Sequence, residues 1–185
     1  MVTLSMLWLP ILVSAVFVFI AANILWMALP FWHHKDYGKI ADSQSDAIVA
    51  SLKDTPGGQY MVPSVNWGKL TPEQKEEVQK GPGGLLLLRN PMQFSMGSSL
   101  TAFFIYNVVV ITFVAYVASL GLLPGAKYPQ VFRIVGSAGI LGYSFHTVSD
   151  SIWYGKPWSS TIKFFIDGII YGLLIAGTFG WLWPR

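Results

Sequence analysis

The chain has 185 residues, of which 53% are hydrophobic and only 11% are charged. Soluble domains carry about 25% charged residues, so this composition indicates a membrane protein. The net charge of +3 comes from scattered lysines and arginines without any basic run, which gives no indication of nucleic-acid binding. The sequence contains no cysteine, which excludes disulfides, thiolate metal sites and cysteine nucleophiles.

Four apolar segments divide the chain, and each reaches the ~20 residues that a helix needs to cross a bilayer. They are residues 5–32, 98–123, 131–154 and 162–183. The first segment has no basic residue before it and is about twice as long as the apolar core of a secretory signal, so we expect it to be retained. The sequence therefore predicts an all-α integral membrane protein with four transmembrane helices.

The domain organisation follows from these segments. Residues 1–32 are predicted to form transmembrane helix 1, and residues 98–185 contain transmembrane helices 2 to 4. Residues 33–97 form a polar insert with the pattern of a small α/β extramembrane layer. An insert of about 65 residues is below the size that buries a good core unaided, so we expect it to lean on the membrane, the bundle or a partner.

The insert contains a candidate 26-residue repeat. Ser45 and Thr71 lie 26 positions apart, and so do Pro56-Gly57-Gly58 and Pro82-Gly83-Gly84. Each unit is predicted to contain a helix capped by Ser45 or Thr71, a Pro-Gly-Gly turn and a short apolar strand. The alternative is that a helix, a glycine turn and a strand recur here by chance, because one shared tripeptide is a small basis for a repeat.

The predicted strands of the insert are residues 59–62 and 85–88. Thr71 is followed by proline and then by Gln74, a pattern typical of a capping box at the start of a helix. The second helix of the insert is therefore predicted to begin directly after Thr71.

Lysine and arginine mark the orientation. Nine of them fall in the insert or in the turn that shares its side of the membrane, against three on the other side. The nine are Lys35, Lys39, Lys53, Lys69, Lys75, Lys80, Arg89, Lys156 and Lys163; the three are Lys127, Arg133 and Arg185. Positive residues favour the cytoplasmic side, so the insert is predicted to be cytoplasmic. These features are similar to those of many small multi-span bacterial proteins, so we expect the bacterial cytoplasmic (inner) membrane.

Small residues recur at helical spacing in the last two segments. Such stripes let helices approach closely within a bilayer, so the sequence predicts tight helix packing through Gly168, Gly172, Ala176 and Gly180, and through Gly136, Gly139 and Gly142. The packing partner is either a neighbouring helix of the chain or another subunit. The alternative is a gap that accommodates a lipid or quinone tail.

Two ionisable pairs suggest an intramembrane polar cluster. His146 and Asp150 are four residues apart, as are Lys163 and Asp167, with Tyr171 one turn further along. On adjacent antiparallel helices these side chains would meet, since charged groups inside a bilayer pair with one another. The favoured interpretation is a structural hydrogen-bond network. The alternatives are a proton or ion path, a metal site at His146, and His146 as an axial ligand of a redox or pigment group.

The sequence predicts no metal site and no cofactor. The residues that come nearest to a metal site outside the cluster are His33, His34 and Asp36. Adjacent histidines point in different directions on a helix and rarely bind one ion together. The favoured interpretation is interfacial side chains at the exit of the first helix.

No catalytic motif is present: there is no GxSxG, Walker loop, HExxH or dinucleotide-binding glycine turn. We therefore predict an accessory or structural subunit of a larger membrane complex, with no chemistry of its own. Its expected partners are the lipid bilayer, other transmembrane subunits and bound lipids, but not nucleic acid. The alternative function is a small proton- or ion-coupled transporter or channel that acts as a homo-oligomer.

Overall fold

The computed structural model describes residues 2–89 and 95–185, and the chain forms two compact units. We call Met1–Tyr37 with Ser95–Arg185 the helical unit, and Gly38–Phe94 the insert unit. In chain order the elements are α1 (Leu4–Ala28), α2 (Asp42–Ser51), β1 (Gly58–Val62), α3 (Pro72–Lys80), β2 (Gly84–Leu88), α4 (Met96–Gly121), α5 (Tyr128–Ser144), α6 (His146–Tyr154) and α7 (Trp158–Leu182).

Three helices of the described chain, α1, α4 and α7, are long and apolar enough to cross a membrane. An α-helix satisfies its own backbone hydrogen bonds, which a bilayer cannot do for it. The structure therefore indicates a membrane protein, and the mostly helical fold with a small sheet between helices confirms the prediction at that level.

The third predicted segment does not form one long helix. It is divided at Phe145, where α5 ends and α6 begins. The nine-residue α6 is followed directly by Gly155, whose φ of +72° lies in the left-handed region that glycine adopts without strain. This break sets the position of the polar residues that follow it.

The core of the helical unit lies between α1, α4, α5 and α7. The tightest of these packings joins α5 to α7 in antiparallel order, from Tyr128 beside Gly180 to Ser144 beside Gly168. At Gly139 an added Cβ would lie 3.0 Å from the Cα of Gly172, so the two backbones are nearly in contact. Fully buried aliphatic and aromatic side chains, among them Ala15, Ile111, Val135, Ile175 and Phe179, fill the remaining space.

The insert unit contains a two-stranded antiparallel sheet. Strand β1 pairs with β2 in a register that runs from Gly58 opposite Leu88 to Val62 opposite Gly84. Each strand is one residue longer at its start than predicted. The capping box of α3 is confirmed, since the amide of Gln74 donates to Thr71 Oγ1 over 3.3 Å and Gln74 Oε1 accepts from the amide of Thr71 over 2.9 Å.

The predicted cap at Ser45 is wrong, because α2 begins at Asp42, three residues earlier. Gln44 Oε1 accepts from the amide of Ala41 over 3.3 Å, and Asp42 places an acidic side chain in the first turn. An acidic residue there favours the helix start electrostatically. The two helices of the insert unit therefore do not start at equivalent positions of the candidate repeat.

The insert unit has secondary structure but no interior. None of its described residues, 38–89, is buried. Apolar side chains of this unit are instead exposed, with Val49 and Leu87 each 67% accessible. Burial of apolar side chains is the main source of folding free energy, so the insert unit obtains very little of it from its own residues.

Candidate functional site

A reversal of the chain after α1 positions the first part of the site. The last turn of α1, Ile24–Ala28, is a π-helix in which the amide of Leu29 donates to the carbonyl of Ile24 over 3.1 Å. Two tight turns follow, closed by hydrogen bonds from Trp32 to Leu29 and from Asp36 to His33. The π-helical turn and these reversals return the His33 side chain to the helical unit, where it is 1% exposed.

The His33 ring lies between two carboxylates. Its Nδ1 is 2.6 Å from Asp36 Oδ2, and its Nε2 is 2.7 Å from Asp167 Oδ2 on α7. A ring nitrogen and a carboxylate oxygen need a proton between them to form a hydrogen bond. Both contacts are therefore satisfied only by an imidazolium with two carboxylates, or by a neutral imidazole with one protonated carboxyl.

Two further side chains complete this arrangement. Lys163 Nζ donates to Asp36 Oδ1 and to the carbonyl of Trp32, each over 2.5 Å. The indole nitrogen of Trp32 donates to Asp167 Oδ1 over 2.7 Å. Lys163 and Asp167 reach the same place because residues four apart share a face of a helix. We call Trp32, His33, Asp36, Lys163 and Asp167 the His33 network.

The charges of the His33 network compensate one another. With an imidazolium at His33, two positive groups face two carboxylates. Burial raises the pKa of Asp36, but the hydrogen bonds and positive charges of Lys163 and His33 outweigh it, and the net pKa lies below its ordinary value of 3.8. Asp36 is therefore an ionised carboxylate at neutral pH, which matches the ammonium of Lys163 beside it.

Aromatic rings shield the network from water. The indole of Trp26 stacks on the His33 ring with a centroid separation of 4.1 Å and an interplanar angle of 14°. The ring of Phe164, a residue of α7, has its centroid 5.0 Å from that of the His33 ring. Both aromatic side chains thus pack directly against the imidazole of His33.

The structure brings together only part of the predicted polar cluster. Lys163 and Asp167 lie in one network, but their partners are Asp36 and His33. Asp150 is outside it, and its carboxylate lies 3.9 Å from Lys156 Nζ. The reason is the break at Phe145, which places His146 and Asp150 on the separate helix α6.

The remaining predicted residues occupy distinct places. His146 and Tyr171 line a cavity beside Asp167 rather than the network itself. His34 is exposed, unlike its neighbour His33. Sequence reasoning assigned His33 and Asp36 to the helix exit and so missed their role. The signal that could have identified them is their spacing of three residues. A tight turn closed by a hydrogen bond between positions three apart brings a histidine and a carboxylate at those positions together.

The small residues of α7 and α5 face neighbouring helices of the same chain. A Cβ added at Gly136 would lie 3.2 Å from Ala176 Cβ, and one at Gly142 would lie 3.4 Å from Val110 on α4. A Cβ at Gly180 would lie 2.5 Å from the Tyr128 ring. These residues thus pack inside the helical unit.

Residues 2–89 and 95–185 contain no group of three or more His, Asp or Glu side chains that could hold a metal ion. In the His33 network the two carboxylates contact opposite nitrogens of the ring, so the three side chains do not converge on one point. The geometry is that of a hydrogen-bonded chain.

A cavity of about 500 Å³ adjoins the network at Asp167. It lies inside the helical unit, between the C-terminal end of α1, the first half of α4, α5–α6 and α7. Six of the residues that line it are aromatic: Trp26, Phe103, Tyr106, Tyr143, Phe164 and Tyr171. Cavities of 300–1,000 Å³ with mostly apolar walls and a few polar groups are typical of small-molecule sites.

Comparisons of this chain with protein-family models, with curated proteins and with solved structures found no match.

Proposed function

We propose that the protein is an accessory, structural subunit of a larger membrane complex. In this proposal the helical unit anchors the chain in the bilayer, and the insert unit contacts a partner subunit. The observation that carries the proposal is the structure of the insert unit: two helices and a two-stranded antiparallel sheet are formed, yet none of residues 38–89 is buried.

Exposed apolar side chains on the insert unit support a protein partner. The larger ones lie on α2, on both strands and on the segments before α2 and α3; they are Ile40, Ile48, Val49, Met61, Val62, Trp67 and Leu87. Exposed apolar side chains mark an interaction site where they form a contiguous patch, and in this proposal the partner subunit covers these side chains. Strand β2 is apolar on both faces of its sheet, since it consists of Gly84 and four leucines, which favours contact on both sides.

We further propose four membrane crossings, with α5 and α6 together forming the third. Helix α5 contacts α7 along its length, from Gly180 to Gly168. When α7 crosses the bilayer, α5 therefore lies beside it over most of that depth. The 17 residues of α5 extend about 25 Å at 1.5 Å per residue, and α6 adds to this length. With four crossings, the excess of lysine and arginine supports our proposal that the insert unit lies on the cytoplasmic side of a bacterial inner membrane.

The proposal is tested by purification of the tagged protein from its source membrane in mild detergent, followed by mass spectrometry. We expect partner subunits at a fixed stoichiometry. The double variant Val49→Ser/Leu87→Ser should lose them, whereas Glu77→Ser, which changes an exposed polar residue of the same unit, should retain them. A protein that purifies alone, or partners that persist with the double variant, would contradict the proposal.

A second candidate function is proton-coupled transport, which the position of His33 between two carboxylates favours. Asp167 belongs to that chain and also lines the cavity, so it could pass a proton between them. In liposomes with an enclosed pH-sensitive dye, Asp167→Asn should abolish proton flux, and Asp150→Asn should not. Equal flux in liposomes with and without the protein would rule this function out.

A further inference from the structure

We propose that the cavity beside Asp167 binds a lipid-soluble quinone, meaning a flat, uncharged ring with carbonyl oxygens and an apolar tail. This inference goes beyond the role of an accessory subunit and does not depend on it. It assigns the helical unit a ligand, and no redox step is part of the proposal.

The aromatic walls indicate a flat ligand. Tyr143 contributes edge-to-face contacts to Tyr106 and to Tyr171, with ring centroids 6.2 Å and 5.5 Å apart. Trp26 and Phe164 make a similar contact on the side of the His33 network, at 5.4 Å. Rings so arranged present both faces and edges, and a planar conjugated ring gains favourable stacking from them.

Charge selects an uncharged ligand. Among the described residues that line the cavity, Asp167 is the one acidic residue and none is lysine or arginine. Both carboxylate oxygens of Asp167 are already engaged, Oδ1 by Trp32 and Oδ2 by His33. The described wall residues thus offer no free carboxylate, lysine or arginine to an ionic ligand, and an unpaired ion in such a site is strongly disfavoured.

Polar groups remain for a carbonyl-bearing ring. Tyr171 is 7% exposed, and within the described part of the chain its hydroxyl has no hydrogen-bond partner. By contrast, the hydroxyl of Tyr143 already donates to Asn107 over 2.8 Å. Tyr171 lines the cavity, so its hydroxyl is the group that would donate to a ligand carbonyl, because a polar group covered by a ligand without a hydrogen bond is costly. His146 lines the same cavity and has no partner among residues 2–89 and 95–185.

The apolar part of the wall accommodates a tail. Met27 at the end of α1 and Met96 at the start of α4 line the cavity, and both are more than half exposed. Leu100 lies one turn further along α4. Unbranched methionines adapt to flexible chains, so this side suits an isoprenoid or alkyl tail.

Decylubiquinone is the probe for this proposal. The full-length protein is placed in lipid nanodiscs, and bound quinone is extracted and measured by absorbance against empty nanodiscs. We expect saturable binding of one quinone per protein. Tyr171→Phe should weaken binding about fivefold through the loss of one hydrogen bond, and Tyr116→Phe, an exposed tyrosine away from the cavity, should not change it.

Two further arms define what would overturn the proposal. Leu100→Trp fills the cavity and should abolish binding, and thermal unfolding checks that this variant is folded. If it does not fold, the comparison of Tyr171→Phe with Tyr116→Phe decides the test. Monodecanoylglycerol, an uncharged lipid without a flat ring, should not displace the quinone. Binding no greater than in empty nanodiscs, equal binding by Tyr171→Phe, or equal displacement by monodecanoylglycerol would each overturn the assignment.

Discussion

The helical unit and the insert unit differ in where their apolar side chains lie. In the helical unit, α5 and α7 approach until Gly139 and Gly172 nearly touch, and even the charged side chains of Asp36 and Asp167 are almost fully buried. In the insert unit, hydrogen bonds form two helices and a two-stranded sheet, and none of the described residues 38–89 is buried.

This difference separates two sources of structure. Caps and turns are local, so they specify the elements of the insert unit without specifying a core. Packing and paired charges act between distant segments, so they hold the helical unit together. Substitutions in the helical unit should therefore cost more stability than substitutions at equally well-formed local features of the insert unit.

The largest effect is expected at His33. His33→Ala leaves two nearly buried carboxylates without their shared imidazole, and breaking a buried ion pair costs about 3 kcal/mol or more. The free energy of unfolding in mixed detergent micelles, followed by circular dichroism, should fall by this amount. His34→Ala changes the exposed neighbour and should leave the unfolding free energy unchanged. Equal values for the two variants would show that the His33 network contributes nothing to stability.

A smaller loss is expected from Gly172→Ala. The new Cβ would lie 2.7 Å from the backbone nitrogen of Ile140, which cannot move without displacing α5. Overpacking of this kind costs about 2 kcal/mol. Gly177→Ala is the matched control on the same helix, because its nearest neighbour is the Tyr128 hydroxyl at 3.8 Å. An unchanged unfolding midpoint in Gly172→Ala would mean that α5 and α7 are less tightly packed than described.

The smallest effect is expected at the cap of α3. Thr71→Ala removes the acceptor for the amide of Gln74, at a cost of about 1 kcal/mol, and leaves the helical unit unaffected. Hydrogen exchange at the first turn of α3 should become about fivefold faster. Thr71→Ser keeps a hydroxyl and should restore the slower exchange. If the unfolding of the helical unit also changes, the two units are not energetically separate.

Much of the fold follows from local sequence patterns. The long apolar runs predicted the helices that became α1, α4 and α7, and the pair Thr71 and Gln74 predicted the start of α3. These features depend on residues within a few positions of one another. The division at Phe145 did not follow, because an apolar run carries no mark where one helix stops and the next begins.

The site was predicted only in part for the same reason. Lys163 and Asp167 were recognised as a pair on one helical face, but their partners come from a turn more than 125 residues earlier. That turn is produced by the π-helical end of α1, which no residue pattern signals. Local spacing could identify which side chains share a face, but not which distant segment would meet them.

The His33 network also constrains how the protein is made. His33 and Asp167 are separated by 134 positions, so α1 and its turn are synthesised long before the last helix exists. Until then the imidazole and the carboxylate of Asp36 must remain hydrated, outside the position they finally occupy. Their burial is therefore a late step of folding, because a chain truncated before α7 lacks Asp167 and Lys163, the hydrogen-bond partners of His33 and Asp36.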